Sequence, residues 1–242
     1  MLSDSQISMI VVTGYCRCFR EDAVPFWLYR VDDKDRGRRA AGPPPTMEHL
    51  RHVVQGWLEI ALTPVAAGLL RFGASANQVS VGGFALAVVS AGLVAADHLV
   101  AAGVLYLIAG TLDLLDGMLA RLAGTPARFG AFLDSTIDRA SEGVVFAAIG
   151  YRFAVEGAAI DAGVVVLALL GSFLVSYTRA RAEGLGAECK VGIATRAERV
   201  VLVTVGLVAG LLTQAIYLVA LLSAITVVQQ VLRVRQELRT IR

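Results

Sequence analysis

From Phe72 to Ala96 the chain runs without a charged residue, and this run constrains the fold more than any other feature. As a helix rising about 1.5 Å per residue, it is long enough to cross a hydrocarbon core of about 30 Å. Further runs follow. Leu99 to Leu112 continues after the polar pair Asp97-His98, Gly130 to Tyr151 is apolar in part, and Ala162 to Thr178 is uncharged. Val200 to Leu232 is also uncharged, but as one helix it would measure about 50 Å, more than a bilayer requires. Divided at Leu212-Thr213-Gln214 it supplies two spans, so the sequence predicts an all-α fold with six transmembrane helices. Composition agrees: 56% of the 242 residues are hydrophobic and 17% are charged. A water-soluble domain of this size has too little interior to hide so much apolar surface.

Charge placement orients the spans. With six of them, the 121–129 loop, the 179–199 loop and the C-terminal tail share one side. They carry Arg121, Arg128, Arg179, Arg181, Lys190, Arg196, Arg199, Arg233, Arg235, Arg239 and Arg242, whereas the opposite side has only Arg152. Positive-inside orientation puts those loops and both termini in the cytoplasm of a multi-pass plasma-membrane protein. Five spans would export the arginine-rich tail.

The remaining segments are less informative. Met47 to Arg71 reads as an amphipathic cytoplasmic helix lying in the interface, with Trp57 at headgroup depth. His49 and His52 lie one turn apart on it and lack a third ligand, so a solvated face is the expectation. Residues 1–46 end in Gly42-Pro43-Pro44-Pro45 before Met47 and read as a disordered extension or an over-long start, with the membrane domain at 47–242. Cys16, Cys18 and Cys189 fit free thiols better than a zinc site. A net charge of +2 without a basic, aromatic-interleaved run argues against a nucleic-acid partner. Gly206 and Gly210 form a small-xxx-small pair suited to helix packing.

Chemistry concentrates between residues 113 and 138. The order is Asp113-Leu-Leu-Asp116-Gly117-Met-Leu-Ala120-Arg121, eight residues, Gly130, three residues, Asp134, three residues, Asp138. On a helix, positions 113, 116, 117, 120 and 121 share a face, and Asp134 and Asp138 share one on the next helix. A loop from Leu122 to Phe129 can fold the two helices antiparallel and bring four carboxylates together. Acids at such a depth are costly unless neutralised or wet. Oxygen-rich clusters invite hard divalent cations, here two Mg2+ ions or Mn2+, which can clamp phosphoryl oxygens during a displacement. Gly117 leaves room beside the helix backbone, and Arg121 offers a fork matched to phosphate. Structural ion pairing with Arg121, Arg128 and Arg139 is the competing explanation. It does not account for the regular spacing or for the interposed Gly117 and Gly130.

Asp113 through Asp138 resembles the signature of the CDP-alcohol phosphotransferase family, D-x2-D-G-x2-A-R-x8-G-x3-D-x3-D, and matches each of its eight fixed positions over 26 residues. The wider resemblance covers about Met47 to the C-terminus. It implies that Asp113, Asp116, Asp134 and Asp138 bind two metal ions, and that Asp138 is also the general base toward the acceptor hydroxyl. It implies that Gly117 and Arg121 hold the cytidine diphosphate part of the lipid donor. The family's polar approach to its first span corresponds to Asn77, Gln78, Val79 and Ser80. Some relatives carry a hydroxyl three residues before the second motif glycine, where this chain has Ala127. The resemblance also implies a homodimer.

A second resemblance concerns the acceptor. Ser176-Tyr177-Thr178-Arg179-Ala180-Arg181-Ala182-Glu183, with Val191-Gly192-Ile193-Ala194-Thr195-Arg196-Ala197-Glu198-Arg199, is similar to the phosphatidylinositol-phosphate and archaetidylinositol-phosphate synthases. It implies transfer of a lipid-phosphate group from CDP-diacylglycerol or CDP-archaeol to an inositol phosphate, with release of CMP. Arg179, Arg181, Arg196 and Arg199 would seat the acceptor phosphate, though arginines also flank spans for topology alone. Glycerol 3-phosphate is the alternative acceptor, and a non-catalytic cation-binding membrane protein is the alternative class.

Overall fold

The computed structural model describes residues 61–122, 128–187, 189 and 191–240. Regular structure among them is wholly helical: α1 (Ala61–Arg71), α2 (Ala76–Ala95), α3 (Leu99–Leu122), α4 (Arg128–Val155), α5 (Ala159–Gly184), α6 (Arg196–Ala209) and α7 (Leu212–Thr240). Residues 1–60, which include the expected extension 1–46 and the first part of the expected interfacial helix with its two histidines, and the centre of the 122–129 loop lie outside the described residues. Within the described part, Cys189 is a buried free thiol.

Helices α2 to α7 close a ring in the order α2, α3, α6, α7, α5, α4, each packed chiefly on its two neighbours. All six contribute to one apolar core, which includes Ala87 and Val94 of α2, Tyr106 of α3, Phe146 and Ile149 of α4, Ala168 of α5, Val203 of α6 and Ile216 of α7. Outside the ring the helices present Val88, Leu107, Leu167, Leu170, Leu221 and Val228 to their surroundings. So many exposed apolar side chains suit a hydrocarbon solvent, not water. Helices α2, α3, α5 and α7 are long and apolar enough to cross a membrane. Of the other two expected spans, α4 has the length but carries Asp134, Asp138, Arg139 and Glu142, and α6 has 14 residues.

Local chemistry sets the helix ends. Ser75 caps α2 through a capping box, its Oγ accepting from the Gln78 N–H and the Gln78 side chain accepting from the Ser75 N–H. The long apolar run divides at Gly210-Leu211, slightly before the expected Leu212-Thr213-Gln214. Gly210 adopts φ 70° at the C-cap of α6, a conformation that favours glycine. That corrects one half of the expected packing pair. Gly206 does pack, since a Cβ there would fall 2.5 Å from the Ala215 Cβ, whereas Gly210 serves the turn. At the same end of the ring, Arg152 donates to Asp97 in the α2–α3 turn at 2.9 Å, and Tyr217 donates to Asp161 at 3.0 Å. The acidic cluster is at the other end.

Candidate active site

Antiparallel packing of α3 and α4 against α2 brings the motif acids together. Asp113 and Asp116 face inward one turn apart on α3, and Asp134 approaches from α4. One carboxylate oxygen from each of the three lies within 4.8 Å of the others. Oxygen ligands on opposite sides of a divalent ion stand about 4–5 Å apart, so the spacing suits a single ion among them. Two further observations agree. Asp134 Oδ1 is buried without a hydrogen-bond partner among the described residues, as an oxygen awaiting a cation would be. Asp116 is buried, and its other neighbour is a hydroxyl, Ser80 Oγ, which donates to Oδ2 at 2.5 Å. That hydrogen bond fixes the direction of the carboxylate, as a donor behind a metal-binding acid does.

Asp138 is outside that set of three but lies against Asp113. It faces Arg196, the first residue of α6, whose Nη1 lies 2.8 Å from Asp138 Oδ1 and also pairs with Asp113 Oδ2. The guanidinium thus bridges the acids of α3 and α4. Its Nε is buried and has no partner among the described residues. A small, half-open cleft adjoins this group, with Ser80, Gly83, Asp113, Asp116, Asp138 and Arg196 among its lining residues.

The other expected positions divide sharply. Arg121 folds back along α3 toward Gly117, its Nη1 3.8 Å from where a Gly117 Cβ would be, an ordinary contact distance. In the polar stretch that forms the first turns of α2, Gln78 is spent on the cap, Val79 packs with Leu115 and Leu119, and Ser80 binds Asp116; Asn77 is exposed. Arg179 and Arg181 are exposed on the last turns of α5, Arg179 pairing with Glu183 at 3.1 Å. Arg199 departs from expectation. It is 1% exposed and sealed within the ring, where Nε and Nη2 donate to the two oxygens of Glu142 at 2.7 and 3.1 Å. With Nη1 donating to the Ala194 carbonyl at 3.0 Å, all three of its nitrogens are engaged inside the ring, away from a ligand at the mouth.

Reading the sequence for motif acids overlooked Glu142, which is 2% exposed and also accepts from Ser172 Oγ at 2.5 Å. The signal was present. Glu142 lies four residues after Asp138 in a helix of the bundle, and an acid at that depth needs a partner.

Comparison with known proteins agrees with this geometry. Residues 74–232 match the family model for CDP-alcohol phosphatidyltransferase. The archaetidylinositol phosphate synthase of Methanothermobacter thermautotrophicus is 37% identical over 178 residues, covering 70% of this chain and 87% of that protein. The crystal structure of Mycobacterium tuberculosis phosphatidylinositol phosphate synthase with CDP-DAG bound is similar at 33% identity and a TM-score of 0.66, covering 71% of this chain and 92% of that one. The structure of the same mycobacterial protein in complex with manganese and citrate is similar at 33% identity and a TM-score of 0.64, with coverage of 71% and 88%.

Proposed function

The chain belongs to the CDP-alcohol phosphatidyltransferase family, and from that premise we propose that it moves a lipid-phosphate group from a CDP-linked lipid to an inositol phosphate. The observation that carries this reading is Arg196 standing among the motif acids. A cation at that point gives an anionic acceptor a seat where four carboxylates would otherwise repel it. The names of the relatives, an archaetidylinositol phosphate synthase and a phosphatidylinositol phosphate synthase, support the same acceptor.

In the proposed reaction the acceptor hydroxyl oxygen bonds to the lipid-side phosphorus of the donor. The bond from that phosphorus to the bridging oxygen breaks, and CMP leaves with the electron pair. Asp138 lines the cleft and takes the hydroxyl proton. Arg121 and the space beside Gly117 receive the cytidine diphosphate part. Ser80 holds Asp116, with Asn77 near the same helix end. Asp113, Asp116 and Asp134 would hold a divalent metal, Mg2+ or Mn2+, and Asp138 would join them in a two-ion site. Bound metal neutralises and polarises phosphoryl oxygens at the reacting centre. Arg196 receives the acceptor's phosphate through its fork and its unpartnered Nε, with Arg179 and Arg181 raising the local positive potential.

The same reading takes α4 and α6 as spans alongside α2, α3, α5 and α7. Closure of all six helices into one ring supports it, since a ring member outside the bilayer would leave its neighbours' inner faces unmatched. The arginine-rich end, and with it the site, faces the cytoplasm of the plasma membrane. Two chains pair as a homodimer.

The test is purified protein in detergent with CDP-diacylglycerol or CDP-archaeol and a panel of acceptors. Metal-dependent CMP release, with an inositol-phosphate lipid identified by mass, is the expected result. A product formed only with glycerol 3-phosphate would replace the acceptor, and absence of CMP release with every alcohol would overturn the reading.

A further inference from the structure

We propose that Glu142 and Arg199 are positioning residues, a buried pair that sets where Arg196 stands against Asp138 and thereby how the acceptor's phosphate is received. The proposal rests on Arg196 as the acceptor's seat. Two ion pairs cross the ring in register. Arg196 of α6 meets Asp138 of α4, and one turn further along both helices Arg199 meets Glu142. The second pair is the sealed one. Both of its oxygens and all three guanidinium nitrogens are hydrogen-bonded, to each other, to Ser172 Oγ and to the Ala194 carbonyl.

The Ala194 contact carries the argument from structure to function. Two residues before Arg196, the backbone of Ala194 is held from both sides: its carbonyl by Arg199, and its N–H by Thr226 Oγ1 of α7 at 3.1 Å. Gln230 Nε2 reaches the Val191 carbonyl at 3.4 Å, and Gly192, at φ 144°, lies so close to Thr226 that a Cβ would be 2.6 Å from its Cγ2. The segment leading into α6 is therefore docked on α7 and locked by Arg199. Thr195, the N-cap of α6, makes no side-chain capping bond to the helix backbone and instead donates to the Glu198 side chain, so these contacts add to what positions the first turn. Arg196 is the residue that this scaffold delivers.

A purely structural ion pair would show a different pattern under substitution. Replacing both partners by apolar residues of similar volume often keeps or raises stability, whereas removing one leaves a buried charge. The double variant Glu142→Leu/Arg199→Met therefore separates folding from positioning. It should elute as wild type and keep its CDP-lipid KM within about twofold, while acceptor KM rises about 10- to 100-fold, the scale expected when a reacting group is misplaced by about an ångström. Thr226→Val, which releases the Ala194 N–H without touching the ion pair, should raise acceptor KM in the same direction. Should the double variant misfold, Thr226→Val and Glu142→Gln decide alone. A second readout needs no turnover. The melting-temperature losses of Arg196→Ala and Asp138→Asn should be non-additive in the wild type and additive when Glu142→Leu/Arg199→Met is present. A folded double variant with wild-type acceptor KM and an unchanged cycle overturns the proposal. If the wild type used no phosphorylated acceptor, the functional reading would fail, and the cycle would still decide whether the pair positions Arg196.

Discussion

Arg196 Nη1 lies 2.8 Å from Asp138 Oδ1, so the first residue of α6 supplies the counter-charge for an acid carried on α4. Neither helix touches the other closely enough to dominate the ring, and the long arginine side chain bridges the gap. An ion pair there neutralises the acid; in the proposed reaction the acceptor's phosphate competes for the same guanidinium.

Arg196→Ala should therefore damage acceptor use far more than CDP-lipid use. A lost charge-assisted hydrogen bond is worth roughly 1.5–3 kcal/mol, so acceptor kcat/KM should fall about 10- to 150-fold. CDP-lipid KM should stay within about twofold. Equal losses for inositol phosphate and free inositol would show that the arginine does not seat a phosphate.

Asp138→Asn preserves shape but cannot take a proton. Turnover should fall by about 100-fold or more, in line with general-base contributions, while CDP-lipid binding measured by titration persists. A change confined to CDP-lipid KM would remove Asp138 from the base role.

Metal dependence should appear on both helices. Asp116→Ala and Asp134→Ala each remove an oxygen from the cluster and should abolish measurable turnover, as should a chelator, reversibly, in the wild type. Ser80→Ala is the finer probe. It leaves the ligands intact but frees Asp116, and should weaken Mn2+ binding about 10- to 100-fold while saturating metal restores turnover. Full activity in chelator excludes the metal reading.

Docking of the segment before α6 can be read from Cys189. Burial pushes its thiol above the usual range, so alkylation should be slow and shifted to higher pH than for an exposed cysteine. Thr226→Val loosens the neighbouring backbone and should speed labelling of the Cys189 peptide, followed by mass. Wild-type Cys189 labelling as fast as that of an unfolded control would contradict the docked geometry.

Gly192→Ala places a Cβ against Thr226 in a backbone conformation that side chains rarely adopt. It should lower stability by about 1–3 kcal/mol. Thr226→Ser in the same chain removes the clashing methyl and should recover part of the loss, leaving the backbone strain.

Much of the site was legible because its information is local. Asp113, Asp116, Gly117 and Arg121 share a helix face through spacings of three and four, and Asp134 shares one with Asp138 for the same reason; any helix of this sequence would do that. Helix order followed from the apolar runs, although the break falls slightly before Leu212-Thr213-Gln214 because a left-handed C-cap at Gly210, not a change in polarity, ends α6. The division of labour between Arg196 and Arg199 was not local. Both sit in Arg196-Ala197-Glu198-Arg199, both are cationic, and about 4.5 Å of helical rise separates them. That rise is enough to put one at the mouth beside Asp113 and Asp138 and the other one turn deeper, sealed against Glu142. The sequence by itself determined which residues are charged and which face of its own helix each one shares. Only the tertiary structure decided which charges meet, because the partner of each arginine is on another helix more than fifty residues away, and burial depends on how the ring closes.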